Sequence, residues 1–314
     1  MHKEKLYFES TNGSDRICYF KYTPDAVHEK QAAPKAIFQM VHGMAEYAER
    51  YEALAEAACA LGYAVYIHEH VGHGNTAGSI ERLGLFLDAE QRTTLVEDTH
   101  KMTEIAKHDY PDCAVNLFGH SMGSFVVRLC AAQYGADYRS LVICGTGGKD
   151  PKVPLGLTVL KVLRLVFGKD HKSRFIDKSS FGSYNDRCKP ARTPYDWVSA
   201  NPENVDNYVA SPYCGFLFSV DGYKMLMEVN RDANLPKTFT ATPHELPVLL
   251  VAGADDPVGH YGKDVPEICA LYKQAGVRDC SYKLYEGCRH EILLDNCAAE
   301  VRADITAFLE RTNA

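Results

Sequence analysis

The sequence predicts an α/β domain with a mostly parallel central sheet, helices on both faces and an inserted, mainly helical cap. Two observations carry this. From Ala36 onward, short apolar runs alternate with amphipathic helical stretches, the pattern of parallel strands joined by crossover helices. The alternation stops after Gly148 and resumes near Pro247, and the gap holds eight of the fourteen prolines and the single tryptophan, Trp197. The expected organisation is a core of residues 1–149 and 246–314 with an insertion at 150–245. Because sheet strands flank the insertion on both sides, it reads as a cap or lid of the same domain.

The elements follow in order. Asn12-Gly13 between two alternating runs signals a hairpin and hence an antiparallel entrance to the sheet. Ile37, Phe38, Met40 and Val41 form a strand that ends at His42-Gly43. The helix after it carries Tyr51, Leu54, Ala58 and Leu61 on one face and stops at Gly62. Residues 63–68 form another strand, ending in Gly72-His73-Gly74. A helix from about Gln91 to His108 is closed by Pro111. Strand 114–118, helix 122–134 and strand 141–144 precede the insertion. Strand 248–252, helix 263–275, strand 281–285 and helix 296–310 follow it.

Composition narrows the function classes. A chain of 314 residues with 46% hydrophobic and 24% charged residues suits a soluble globular protein whose core needs no disulfides. A net charge of −7 without any Lys/Arg run argues against nucleic acid as a partner. The eleven cysteines are odd in number and lack C-x-x-C spacing, and Cys130 and Cys144 sit in apolar runs. Such thiols behave as small buried hydrophobes, so a reducing, cytoplasmic setting is expected. Residues 1–10 contain no apolar signal-peptide stretch, and no run approaches the roughly 20 apolar residues of a membrane span.

One motif carries chemistry. Gly119-His120-Ser121-Met122-Gly123 matches G-x-S-x-G and lies between a buried strand and a helix, the setting in which a serine is pushed above a sheet on a strained turn. The glycines let strand and helix approach closely. A serine hydroxyl is a weak nucleophile alone; it needs a base, and the base needs an orienting acid. Two later loops at strand ends supply them: Gly253-Ala254-Asp255-Asp256-Pro257 and Glu286-Gly287-Cys288-Arg289-His290-Glu291. His290 is the only histidine after His260. Asp256 is preferred to Asp255 because Pro257 fixes the turn beyond it, and position alone leaves both in play. An acyl-transfer site also needs an oxyanion hole, for which the backbone N–H groups of Met122 and Met44 are the candidates.

Taken together, these pieces resemble the monoglyceride lipase and lysophospholipase branch of the α/β-hydrolases, a group that includes serine aminopeptidases. The resemblance rests on His42-Gly43-Met44-Ala45-Glu46 with Arg50-Tyr51, then residues 68–74, Gly119–Gly123, Asp256-Pro257-Val258-Gly259, and Tyr285-Glu286-Gly287 with His290. It implies catalytic roles for Ser121, Asp256 and His290, oxyanion roles for Met44 and Met122, and a site near Glu46 and Arg50 where substrate is held. It also implies a single-acyl lipid ester as substrate, with no metal or organic cofactor. Glu69 stands where the family usually has Asp, Tyr47 where its lipases often have His, and Ser124 where a second Gly follows the elbow. The cap is more similar to bacterial members than to animal ones. A short-chain or aromatic esterase or a peptidase would use the same residues; a ligand-binding protein on the same scaffold is a more distant reading.

Two further signals are weighed. His68, His70 and His73 lie close in sequence, but at a strand end without the closed ligand set of a zinc site, so they read as structural. Residues 153–167 hold nine large aliphatic side chains broken by Lys161 and Arg164. This stretch reads first as a cap helix packed on the core. It also suits a lid that lines an acyl pocket, with Leu155 and Leu160 as lining residues, or that touches a membrane surface transiently.

Overall fold

A computed structural model describes residues 1–86 and 91–314. The hairpin forms as β1 (His2–Glu9) and β2 (Arg16–Thr23), paired antiparallel from His2 opposite Thr23 to Glu9 opposite Arg16. A short helix, α1 (Asp25–His28), leads to β3 (Ile37–Val41), α2 (Glu52–Ala60) and β4 (Ala64–His68). Then come α3 (Gln91–Asp109), β5 (Val115–His120), α4 (Met122–Tyr134) and β6 (Tyr138–Cys144). Between β6 and the next strand lie α5 (Val153–Phe167), α6 (Arg174–Phe181), α7 (Pro202–Ala210), α8 (Val220–Ala233) and α9 (Pro236–Ala241). The chain closes with β7 (Val248–Gly253), α10 (Asp264–Gln274), β8 (Cys280–Tyr285) and α11 (Ala298–Thr312).

The eight strands form one sheet in the order β1-β2-β4-β3-β5-β6-β7-β8. Only the β1–β2 and β2–β4 pairs are antiparallel. Side chains alternate between the faces, as period-2 geometry requires. Ile37, Leu117, Ile143 and Leu250 join one apolar cluster with α3, α4, α8 and α10. Their neighbours Phe38, Phe118, Val142 and Leu249 join the other cluster with α2 and α11. Burial on both faces explains why these strands read as unbroken apolar runs. The same geometry brings the carboxyl ends of β3, β5, β7 and β8 to one rim, where ligands bind open α/β sheets.

One expectation changes. Leu61, expected on the inward face of its helix, is the cap just beyond α2 and is exposed, where the chain leaves the helix into Gly62 at φ 92°. The segment between β6 and β7 packs in two ways. Tyr223, Met225 and Val229 of α8 and Phe239 of α9 belong to the same cluster as Val126 and Val127 of α4. The buried Arg128 of α4 donates to the carbonyl of Ala233 at 2.7 Å and to Asn234 Oδ1 at 3.0 Å. Residues 220–241 thus complete the helical layer over the sheet, whereas α5 covers its neighbours with a single stripe. Leu160 of α5 is buried, while Leu155 is 70% and Leu165 85% exposed.

Candidate active site

Ser121 follows β5 and precedes α4 with φ 53° and ψ −119°, a conformation that costs a non-glycine residue about 1–3 kcal/mol. The turn is held by surrounding contacts: the Ser121 N–H donates to the Cys144 carbonyl at 3.0 Å. A Cβ on Gly119 would run into the carbonyl of Gly123, and one on Gly123 into that of Val41. On Gly43 it would lie 2.9 Å from Ser121 Cβ. The glycines therefore permit β3, the elbow and α4 to meet at backbone distance.

The loops after β7 and β8 bring an imidazole and a carboxylate to this serine. His290 Nε2 lies 2.8 Å from Ser121 Oγ, and His290 Nδ1 lies 2.9 Å from Asp256 Oδ2. A carboxylate accepts only, so Nδ1 carries the proton and the Nε2 lone pair faces the hydroxyl. Asp256 is fully buried, and its other oxygen accepts the Val258 N–H at 2.9 Å. Asp255 is exposed, and its N–H donates to the Cys288 carbonyl. Of the two acids that position left open, Asp256 is the one at the imidazole. The arrangement can take a proton from Ser121 and stabilise the resulting imidazolium.

Glu46 and Arg50, expected at the substrate, lie instead in a buried charge network behind this trio. Glu46 Oε1 accepts from the Gly43 N–H (2.6 Å), from Tyr51 OH (2.8 Å) and from His120 Nδ1 (3.0 Å). Arg50 Nη2 pairs with Glu291 Oε2 at 2.6 Å, and Asn204 of α7 donates to the same oxygen at 2.8 Å. Burial opposes charge on Glu46, but the hydrogen bond and charge of His120, then Arg50, hold its carboxyl well below the usual range. These contacts tie the two side chains to the loops around Ser121 and His290. Leu155 likewise faces outward, which removes it from a pocket wall and leaves Leu160 inside.

His68, His70 and His73 cluster with His42, whose ring lies 4.4 Å from that of His70 and 5.1 Å from that of His73. Burial pushes all four below the ordinary histidine value, to about 3 for His68 and His73. As neutral rings they stitch backbone together: the His70 N–H donates to His42 Nε2 at 3.0 Å and the Ala45 N–H to His73 Nε2 at 3.2 Å. They fix the loop that carries Met44.

Sequence reasoning missed the aromatic cover. The Trp197 ring lies 5.3 Å from the His290 ring, and Tyr184 meets Trp197 edge-on at 5.0 Å. Trp197 was visible only as the lone tryptophan of the insertion. The insertion is tied to the β8–α11 loop by Arg289, whose Nη1 donates to the carbonyls of Asp196 (2.6 Å) and Ser199 (3.0 Å). The same loop also brings two cysteines together. Cys288 and Cys297 pair as a disulfide, their Cα atoms 6.5 Å apart, while the other nine cysteines are free. A turn that folds the loop back on itself creates this proximity, which the nine-residue spacing does not announce.

The strand order, the crossover helices and the strained serine between β5 and α4 define an α/β-hydrolase. More narrowly, the chain belongs to the Hydrolase_4 family, described as serine aminopeptidase S33, whose model matches residues 32–296. It is 26% identical over 299 residues to a monoacylglycerol lipase of Mycolicibacterium smegmatis, covering 95% of this chain and 94% of the relative. To the human monoglyceride lipase it is 28% identical over 263 residues, covering 82% and 76%. Its fold matches a thermostable carboxyl esterase of Bacillus coagulans, solved in complex with glycerol, at a TM-score of 0.92 with 30% identity and full coverage of both chains. The chain is an ester hydrolase. Among the described residues, no helix is long and apolar enough to cross a membrane.

Proposed function

We propose that this chain cleaves carboxylic esters of single-acyl lipids, monoacylglycerols or lysophospholipids, through a Ser121–His290–Asp256 triad and an acyl-enzyme. The supporting observation is the 2.8 Å and 2.9 Å pair of contacts that lines up hydroxyl, imidazole and buried carboxylate. Ser121 Oγ attacks the ester carbonyl as its proton passes to His290 Nε2. The N–H groups of Met44 and Met122 hold the oxyanion, and the alcohol leaves with the proton from His290. Water then attacks the acyl-enzyme with His290 as base, and the fatty acid is released.

The lipid reading draws support from the lipase relatives and from α5. The residues of the 150–245 insertion nearest the rim serve as a cap, with Leu160 inward. The outward face of α5 exposes Leu155, Val162, Leu165, Val166 and Phe167 beside Lys161 and Arg164. An apolar face flanked by Lys161 and by Arg164, which pairs with Asp221, suits transient contact with a lipid surface. We place the enzyme in the cytoplasm, peripheral to membranes. The nine free cysteines support a reducing setting; the Cys288–Cys297 pair is the feature that points the other way.

A second reading, a short-chain carboxylesterase, is favoured by likeness to the Bacillus coagulans carboxyl esterase. A chain-length series of p-nitrophenyl esters, run beside a monoacylglycerol and a lysophospholipid, separates the two. The lipid reading expects turnover of the single-acyl lipids and a preference for longer acyl chains; a peak at acetate with no lipid turnover refutes it. A fluorophosphonate probe is expected to label wild type and not Ser121→Ala.

A further inference from the structure

Behind the triad, one side chain touches three functional loops at once. His120 precedes the nucleophile and is 4% exposed. Its Nδ1 lies 3.0 Å from Glu46 Oε1, and its Nε2 lies 3.3 Å from the main-chain oxygen of His290. Its ring is 4.8 Å from the His290 ring. Both partners are acceptors. The carbonyl has no proton to give, and Glu46 Oε1 already receives the Gly43 N–H and the Tyr51 hydroxyl, so it too accepts and does not donate. A neutral imidazole has one donor and one lone pair. Either neutral tautomer would press a lone pair against an oxygen lone pair across one of these two contacts. Only the imidazolium donates at both nitrogens.

We propose that His120 is a positioning residue that works as an imidazolium, locked between the Glu46 carboxylate and the main-chain carbonyl of His290, and that this buried cation holds the Met44 loop and the catalytic imidazole in register on Ser121. The proposal rests on the assignment of Ser121 and His290 given above. Glu46 transmits the hold to the oxyanion loop through the Gly43 N–H, and Nε2–H transmits it to the loop that carries the base. Bonds to ionised partners are shorter and stronger than neutral ones, which suits a group that fixes geometry.

The charged and titratable surroundings sustain the cation. Glu46, Arg50 and Tyr51 face it from the chain after β3, His42 from the end of β3, and Glu291 and His290 from the β8–α11 loop. Burial opposes the charge, but the hydrogen bond and charge of Glu46, with Glu291 behind, hold His120 above the ordinary histidine value. Glu46 and Glu291 balance His120 and Arg50, so the network is neutral as a whole.

The test joins a direct measurement to a pH profile. In wild-type protein labelled with 15N-histidine, long-range proton–nitrogen NMR should show both His120 nitrogens protonated at pH 7, the signal being assigned by its loss in His120→Asn. This needs no turnover, so it stands apart from the catalytic assignment, which Ser121 labelling tests. For kcat/KM on p-nitrophenyl butyrate, Glu46→Gln should move the alkaline limb about one pH unit or more toward neutral, since an adjacent opposite charge shifts a group by about 1–3 units. A merely structural Glu46 would lower the rate by one factor at every pH. A neutral His120 tautomer in wild type at pH 7, or a Glu46→Gln profile lowered without displacement, overturns the proposal. Should Glu46→Gln fail to fold, the wild-type NMR measurement decides alone.

Discussion

At the residue scale, the two adjacent aspartates make the sharpest contrast. Asp256 is buried and bonded to His290 Nδ1, whereas Asp255 points to solvent. Asp256→Asn removes the acceptor that fixes the His290 tautomer and leaves an imidazolium without a counter-charge. A loss on the order of 10⁴-fold in kcat is expected, as for other triads that lose this acid. Asp255→Asn is expected to stay within about twofold, as for exposed sites generally. Steady-state kinetics on p-nitrophenyl butyrate compare them, and similar rates in the two variants would show that neither orients the base. Ser121 and His290 were legible from sequence because a motif and a short supply of later histidines named them. The choice between the acids was not, since one residue of offset in a turn decides which side chain enters the protein. The burial of Glu46 and Arg50 was not legible: it is a property of three meeting loops, and no local pattern encodes it.

At the element scale, strands buried on both faces and helices with a clear apolar stripe could be read directly. Strand β7 and helices α4 and α11 fall within a residue or two of their expected bounds. The part of the insertion that packs on α4 could not be. In α8 the apolar positions are interleaved with Asp221, Lys224, Glu228, Arg231 and Asp232, so the stripe that covers α4 is hidden in a charged sequence. Helix α5 is the reverse case: its apolar side chains exceed what its one buried stripe can use. Leu165→Ser with Phe167→Ser is expected to lower binding to vesicles of phosphatidylcholine and phosphatidylglycerol at least severalfold. Burying each such side chain in an apolar phase is worth about 1.5–3 kcal/mol. The same variant should lose turnover on vesicle-borne monoacylglycerol and keep its rate on soluble p-nitrophenyl butyrate. Unchanged sedimentation with vesicles would eliminate the surface-contact role of α5.

At the scale of the whole molecule, the histidines behind the rim make stability depend on pH. His42, His68, His70 and His73 are held neutral in the fold, with values lowered by burial. In the unfolded chain they titrate near 6.5. Below that pH the unfolded state binds protons that the native state refuses, so the free energy of unfolding falls as pH falls. Each group contributes about 1.4 kcal/mol per pH unit once it is fully protonated in the unfolded chain and still neutral in the fold. Glu69 and Asp98, whose carboxyls burial pushes up, act in the opposite sense, two groups against four. His120 acts on the other side of neutrality. Its folded value is raised, so its contribution is complete below 6.5 and is lost as pH rises through that folded value. Urea midpoints at pH 7, 6 and 5 should therefore decline with a slope that steepens below 6.5. In His68→Gln the slope should lessen by about one proton, since a ring held neutral by burial is replaced by a side chain that does not titrate. Midpoints that stay level from pH 7 to pH 5 would mean that the buried rings accept protons in place, and that the loop they stitch together is open to water.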